Sequence, residues 1–292
     1  TLSKIGYIVK QIENKSEIKY ITDKKRELEE FIKLETMKVE FLSNMSHEFR
    51  TPINIILAIV QLLNLHNKPL GDEKYKEYLN ILKQNSYRLL RLVNNVMDIT
   101  KVNSDSDKLN LVNCNIVSVL EEIVMSTVLY ASEKKRNIIF DTDSEEIILA
   151  CDEDKIERIM LNLISNAIKF SQLHTDIEIK IKRNVDLNRV YISVKNYGSN
   201  IEFNDREKIF ERFHRVDNSL NRKNEGCGIG LFLCRKFIEM HGGEIFLDNI
   251  DNGTQFSFYL PINITSEKIY NPLMQKDSLI EKCNIEFSDI YT

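Results

Sequence analysis

Tryptophan is absent from this 292-residue chain, proline occurs four times and glycine nine times. So few helix breakers exclude a collagen-like or loop-dominated polymer and favour long regular elements. No run approaches the roughly 18 apolar residues needed to cross a bilayer. There is no CxxC pair. The five cysteines, Cys114, Cys151, Cys227, Cys234 and Cys283, are scattered and odd in number, which argues against a disulfide or zinc framework. They read as reduced thiols, so a cytoplasmic location is expected for this segment. No dense basic block exists and the net charge is −4, so no nucleic-acid partner is expected. The sequence opens without an initiator methionine, which leaves room for a sensor or membrane segment upstream.

What is present divides the chain. From Ile5 to about Met45, apolar residues such as Ile8, Ile12, Leu28, Phe31, Phe41 and Leu42 recur mostly every three or four positions, which predicts a helix. The pattern continues to Leu65 and breaks at Lys68-Pro69-Leu70-Gly71-Asp72. A second helix follows, striped by Leu79, Leu82, Leu89, Leu92, Val96 and Ile99. Two long helices joined by a short break predict an antiparallel hairpin. A lone hairpin of this length cannot cover its apolar faces, so a homodimer with a four-helix bundle is expected. Residues 103–110 are a polar linker. Beyond it, helices at 117–132, 154–170 and 231–240 mix with strands at 138–141, 147–150, 177–183, 189–195, 244–249 and 254–260. Helices against one mostly antiparallel sheet make an α/β sandwich, so the fold class is α+β. The expected divisions are 1–34 (leading helix), 35–102 (helical hairpin bearing His47), 103–110, 111–261 (sandwich) and 262–292, read as a loose tail or a packed extension.

Three stretches carry residues with chemistry. Ser46-His47-Glu48-Phe49-Arg50-Thr51-Pro52 sets an imidazole nucleophile beside a carboxylate, with a hydroxyl one helical turn on. Pro52 tends to kink the helix just past it. In residues 162–170, Asn162, Asn166 and Lys169 share a polar face to which Glu157 adds a carboxylate, while Leu163, Ala167 and Phe170 turn inward. An asparagine carbonyl suits Mg²⁺ carrying phosphates, and a lysine supplies a point charge; taken alone, such a face is more often a capping or solvated one. Gly226-Cys227-Gly228-Ile229-Gly230-Leu231 opens a helix and offers backbone N–H groups to a phosphate, or simply a tight turn. It is neither a GxGxxG fingerprint nor a Walker loop. Residues 203–225 read as a lid anchored by Ile209, Phe210, Phe213 and Val216.

Taken in series, these blocks resemble the sensor histidine kinases of two-component signalling. The phosphoacceptor pattern is 46–52, the N box 162–170, the F box 207–217 and the second glycine box 226–231, with His241-Gly242-Gly243 and Gly253-Thr254 also matching. The resemblance covers residues 35–261. It implies ATP and Mg²⁺ as cofactors, with autophosphorylation of His47 and transfer to an aspartate of a response regulator. Glu48 would orient His47 and accept its proton, and Thr51 would position water for dephosphorylating the regulator. Asn162, Asn166, Lys169, Asn196, Gly198, Gly226, Gly228, Gly230 and Leu231 would hold the nucleotide, with Asn166 on the metal. One departure stands out. The family's first glycine box has an aspartate that bonds the adenine amino group; here Asn196 takes its place, and Asn200 replaces the second glycine. Tyr197 is expected beside the base or narrowing its pocket. The altered box also admits a degenerate kinase that serves as a signalling scaffold.

Overall fold

The computed structural model describes residues 2–65, 71–102, 108–198, 200–214, 228–248, 250–266, 276–288 and 290. Two compact units are distinguished, residues 1–48 and 49–292.

Helix α1 runs from Leu2 to Leu65, continuing through Pro52. In the first unit it exposes Tyr20, Ile21, Leu28, Phe31, Val39 and Leu42. Its polar positions pair locally, as in Lys24–Glu27 at 2.7 Å and Lys25–Glu29 at 3.6 Å. In the second unit the rest of α1 exposes Ile53, Leu57 and Val60. Helix α2, Asp72–Val102, starts with two acidic residues that complement its dipole. It buries Leu92 and Ile99 and leaves Leu79, Leu90, Val93 and Met97 exposed. Among the described residues no helix is long and apolar enough to cross a membrane.

The sandwich begins with β1 (Val112–Asn115) and continues through α3 (Ile116–Glu133), β2 (Asn137–Thr142), β3 (Ile148–Cys151) and α4 (Glu153–Phe170). Next come β4 (Asp176–Asn184), β5 (Arg189–Tyr197), α5 (Gly230–Met240), β6 (Glu244–Asp248) and β7 (Gly253–Pro261). The main sheet has the order β2-β4-β5-β7-β6, parallel at β2–β4 and antiparallel elsewhere; β1 and β3 form a separate antiparallel pair. Alternation along β4 and β5 sends Ile177, Ile179, Ile181, Val190, Ile192 and Val194 to the helical side, where all are buried. Ile156, Ile159, Met160, Leu163 and Ile164 of α4 and Leu233, Phe237 and Ile238 of α5 join that core. Asn115 caps α3 by accepting from the Val117 N–H at 3.2 Å, and Asp152 caps α4 through Lys155 N–H at 3.2 Å.

The periodicity locates these elements to within about two residues, save β1, too short to show alternation, and one further helix. That helix, α6 (Lys276–Glu286), makes the segment after β7 a packed extension: Leu279, Cys283, Ile285, Phe287 and Ile290 are buried. Cys114, Cys151, Cys234 and Cys283 are free and buried, while Cys227 lies outside the described residues. The described part of the linker, 108–110, is non-helical and is tied down by the Asn110 N–H donating to Asp152 Oδ2 at 2.9 Å.

Candidate functional site

His47 is exposed and Glu48 half-buried in α1, and the preceding Ser46 hydroxyl is turned back on Leu42 O at 2.7 Å. Thr51, one turn further along the helix, is exposed.

In the second unit, the nucleotide candidates gather around the polar side of α4. Asn162 is buried and Asn166 half-buried, and the Asn166 amide nitrogen donates to Asn162 Oδ1 at 3.2 Å. That bond turns the Asn166 carbonyl oxygen away from its neighbour and leaves a hard ligand on the open side. Asn162 meets the start of α5: a Cβ placed on Gly230 would lie 2.1 Å from Asn162 Nδ2, so a side chain there would push Asn162 out of its seat. Cys234 Sγ also lies 3.6 Å from Asn162 Oδ1. The side chain of Asn162 is therefore spent on seating the glycine-opened helix against α4. Gly228 takes a left-handed φ of 65°, and its carbonyl accepts from the Phe213 N–H at 3.0 Å, which joins the F box to the glycine turn. Leu231 follows in the first turn of α5, and Lys169 is half-buried near the end of α4. Gly226 lies outside the described residues, as does Val216 of the expected lid. Of the expected lid anchors, Ile209 and Phe210 are buried, with Phe210 edge-on to Phe256 at 6.1 Å, and Phe213 is half-buried.

Asn196 ends the helix-facing row of β5. It is 3% exposed, and its Nδ2 has no hydrogen-bond partner among the described residues. A buried Nδ2 donor without a partner is costly unless an acceptor outside the chain bonds it; a ring nitrogen on a nucleobase edge is such an acceptor, while an adenine amino group would meet Oδ1. Thr254 stands directly opposite on β7 and is also buried. The family resemblance included Gly253-Thr254 without giving Thr254 a role; the strand pairing puts it beside Asn196. Gly253 lets β7 close in, since a Cβ there would come 2.3 Å from Asn196 O. Gly198 does the same against α4, where a Cβ would meet Phe170 O at 2.1 Å. The first glycine box is thereby held against the N box.

Three expected placements are corrected. Tyr197 is not beside a base, because strand alternation turns it to the opposite face of the sheet. Its hydroxyl donates to Glu178 Oε1 at 2.8 Å, beside Lys195. With Lys180 and Tyr197 bonding it, the Glu178 carboxyl is held down at about 2. Glu157 does not join the Asn162 side: it is 3% exposed and bound by Lys282 of α6 at 2.9 Å. Burial raises its pKa, partly offset by that lysine. Phe170 does not turn inward but is half exposed at the helix end, whereas Leu163 and Ala167 are buried as expected.

His241 is structural. Its Nδ1–H donates to Phe237 O at 2.6 Å while Nε2 accepts the Asp152 N–H at 3.0 Å, so the ring is neutral and locks α5 to the cap of α4. Burial lowers its pKa. Among the described residues no cluster of three or more His, Cys, Asp or Glu could hold a metal. Any Mg²⁺ here would rest on amide and phosphate oxygens, a set that Asn166 fits.

The His Kinase A (phospho-acceptor) domain model matches residues 37–105. The model for the histidine kinase-, DNA gyrase B-, and HSP90-like ATPases matches residues 151–264. Hybrid signal transduction histidine kinase D of Dictyostelium discoideum is 32% identical over 278 residues, which is 93% of this chain and 17% of that protein. The sensor protein kinase WalK of Staphylococcus aureus is 29% identical over 235 residues, 80% of this chain and 56% of that one. Full-length ShkA, solved in complex with AMPPNP, is similar at TM-score 0.58 and 27% identity over 78% of this chain and 47% of its own. ThkA, solved in complex with the response regulator protein TrrA, gives 0.57 and 27% over 77% and 61%. The chain thus spans little more than half of WalK and less than a fifth of the hybrid kinase. A phosphoacceptor domain with His47 on its helix, followed in order by the ATPase domain that seats Asn166 beside the glycine-opened helix, makes this chain a member of the sensor histidine kinase family.

Proposed function

We propose that this chain is an ATP-dependent protein-histidine kinase that phosphorylates His47 and passes the phosphoryl group to an aspartate of a response regulator. The observation that carries the reading is the joint seating of Asn162, Asn166 and Gly230, with the orphaned Asn196 amide at the end of β5. A neutral His47 nitrogen attacks the γ-phosphorus; the N–P bond forms as the bridging O–P bond breaks and ADP leaves. Glu48 accepts the imidazole proton. The backbone amides from Gly226 to Gly230 and the Lys169 ammonium would bind phosphate, and Asn166 would hold Mg²⁺, which would supply charge neutralisation there. Asn196, Gly198 and Leu231 bound the base and ribose side. Thr51 positions water for dephosphorylating the regulator.

In this reading residues 35–102 form the dimerising histidine domain and 111–261 the ATP-binding domain, with 1–34 as a signalling helix. The exposed Leu28, Phe31, Leu42, Leu57, Leu79 and Val93 are buried when two hairpins pair as a four-helix bundle. Sedimentation equilibrium of the whole chain at tens of micromolar should return a dimer mass; a monomer mass would reject the bundle. One observation favours a second reading, a weakly active scaffold: an amide at 196 makes no charge-assisted bond to adenine. Incubation with γ-labelled ATP and Mg²⁺ decides between them. Acid-labile, alkali-stable label that disappears in His47→Gln supports the kinase, and label that persists in that variant rejects His47 as the acceptor.

A further inference from the structure

Helix α6 does more than extend the sandwich. Phe287 is fully buried and stacks on Tyr130 of α3 at 4.9 Å, while Cys283 Sγ lies 3.1 Å from Ser126 Oγ. Lys282 bonds Asp154 at 2.8 Å and Glu157 at 2.9 Å on α4. These contacts fix α6 on the ATP-binding domain. Its other side reaches helix α2. Glu286, 1% exposed, receives Arg158 Nη1 of α4 at 2.5 Å on one oxygen and an ion pair from Arg91 of α2 at 3.1 Å on the other. Arg158 itself crosses to α2, bonding Asn95 Oδ1 at 2.5 Å and facing Asp98 at 3.5 Å. Gln84 of α2 donates to Ser288 O at 3.3 Å. A single buried carboxylate thus joins two arginines on the two sides of the linker.

We propose that α6 is a clasp that holds the ATP-binding domain on α2, and that closing and opening it selects between the two steps of the phosphoryl cycle. This rests on the kinase reading. The nucleotide and the receiver must reach the same His47 imidazole in turn, and both cannot fill that space at once. The ATP-binding domain therefore needs two placements on the helices, and a clasp that stabilises one of them favours one step over the other. Because Glu286 is buried, removing its charge takes away the carboxylate that Arg91 and Arg158 share, which leaves Arg158 only Asp98 and Asn95 on α2 and weakens the α2 contact. Arg158 sits one turn before Asn162, so the clasp is also continuous with the residue that seats Gly230.

The test uses Glu286→Gln and, independently, Arg91→Ala, which loosens the α2 side without touching the ATP-binding domain. Nitroxides at Lys76→Cys on α2 and Asp186→Cys in the β4–β5 turn report the α2-to-sheet distance, with no phosphorylation required. In both variants the distance distribution should broaden, and the ratio of His47 autophosphorylation rate at saturating ATP to phosphotransfer rate should shift at least threefold. Unchanged distances, or a ratio that stays within threefold, overturn the clasp. Wild-type protein that takes no label at His47 fails the kinase reading instead, while the distances still decide whether α6 holds the domain.

Discussion

Replacing Asn196 by aspartate should tighten ATP binding and leave GTP behind. The Asn196 side chain is 3% exposed at the end of β5, with its Nδ2 unpartnered among the described residues and Thr254 across from it. A neutral amide–base hydrogen bond contributes about 0.5–1.5 kcal/mol net, and one to a charged group about 1.5–3 kcal/mol. The difference of about 1–2 kcal/mol corresponds to roughly 5–30-fold in affinity. Guanine presents a carbonyl oxygen where adenine presents its amino group, so a carboxylate repels it and the gain is confined to ATP. The same burial works against the nucleotide-free protein: a carboxylate at this position is desolvated, and the apo melting temperature of Asn196→Asp should fall. Calorimetric titration of both proteins with both nucleotides in Mg²⁺ measures the four affinities. Equal ATP affinities in wild type and variant would refute the contact and shift weight to the scaffold reading.

Asn166→Ala should abolish the Mg²⁺ dependence of nucleotide binding while keeping the melting temperature near wild type; titration of an ATP analogue with and without Mg²⁺ checks it. Gly198→Ala should cost about 1–3 kcal/mol or more, read as a lower urea midpoint, because its Cβ would meet Phe170 O at 2.1 Å. His241 gives a pH effect of definite sign. Its folded pKa lies below the ordinary value, so the unfolded chain takes up the proton first. Its contribution is complete above about pH 6.5 and is lost as pH falls from there through the folded pKa. Urea midpoints at pH 7.5 and 5.5 should differ more for wild type than for His241→Asn; equal differences would remove His241 from the account.

Much of the fold was legible because periodicity and side-chain type agreed. Alternation along 177–183 and 189–195 marked β4 and β5, and the apolar rows of α3, α4 and α5 were unbroken. The site was legible only as blocks, and strand alternation decided what individual side chains do. Asn196 and Tyr197 are neighbours in sequence, yet one faces the helices and the other Glu178 across the open face. Glu157 shared a helix with Asn162, but its direction is set by Lys282, 125 residues away. Helix α6 was the hardest to see. Its polar residues Lys282 and Glu286 are as important to its docking as Leu279 and Phe287, and an ion pair with a distant arginine leaves no periodic trace.

The contact between Gly230 and Asn162 makes the two positions a single unit of sequence variation. Any side chain at 230 must displace the amide at 162, so a change at 230 is coupled to the residue at 162. A shorter residue at 162 would lift that constraint, but it would also release the partner that accepts from Asn166. Asn162, Asn166 and Gly230 are therefore coupled positions. A substitution at any one of Gly230, Asn162 and Asn166 disturbs the other two.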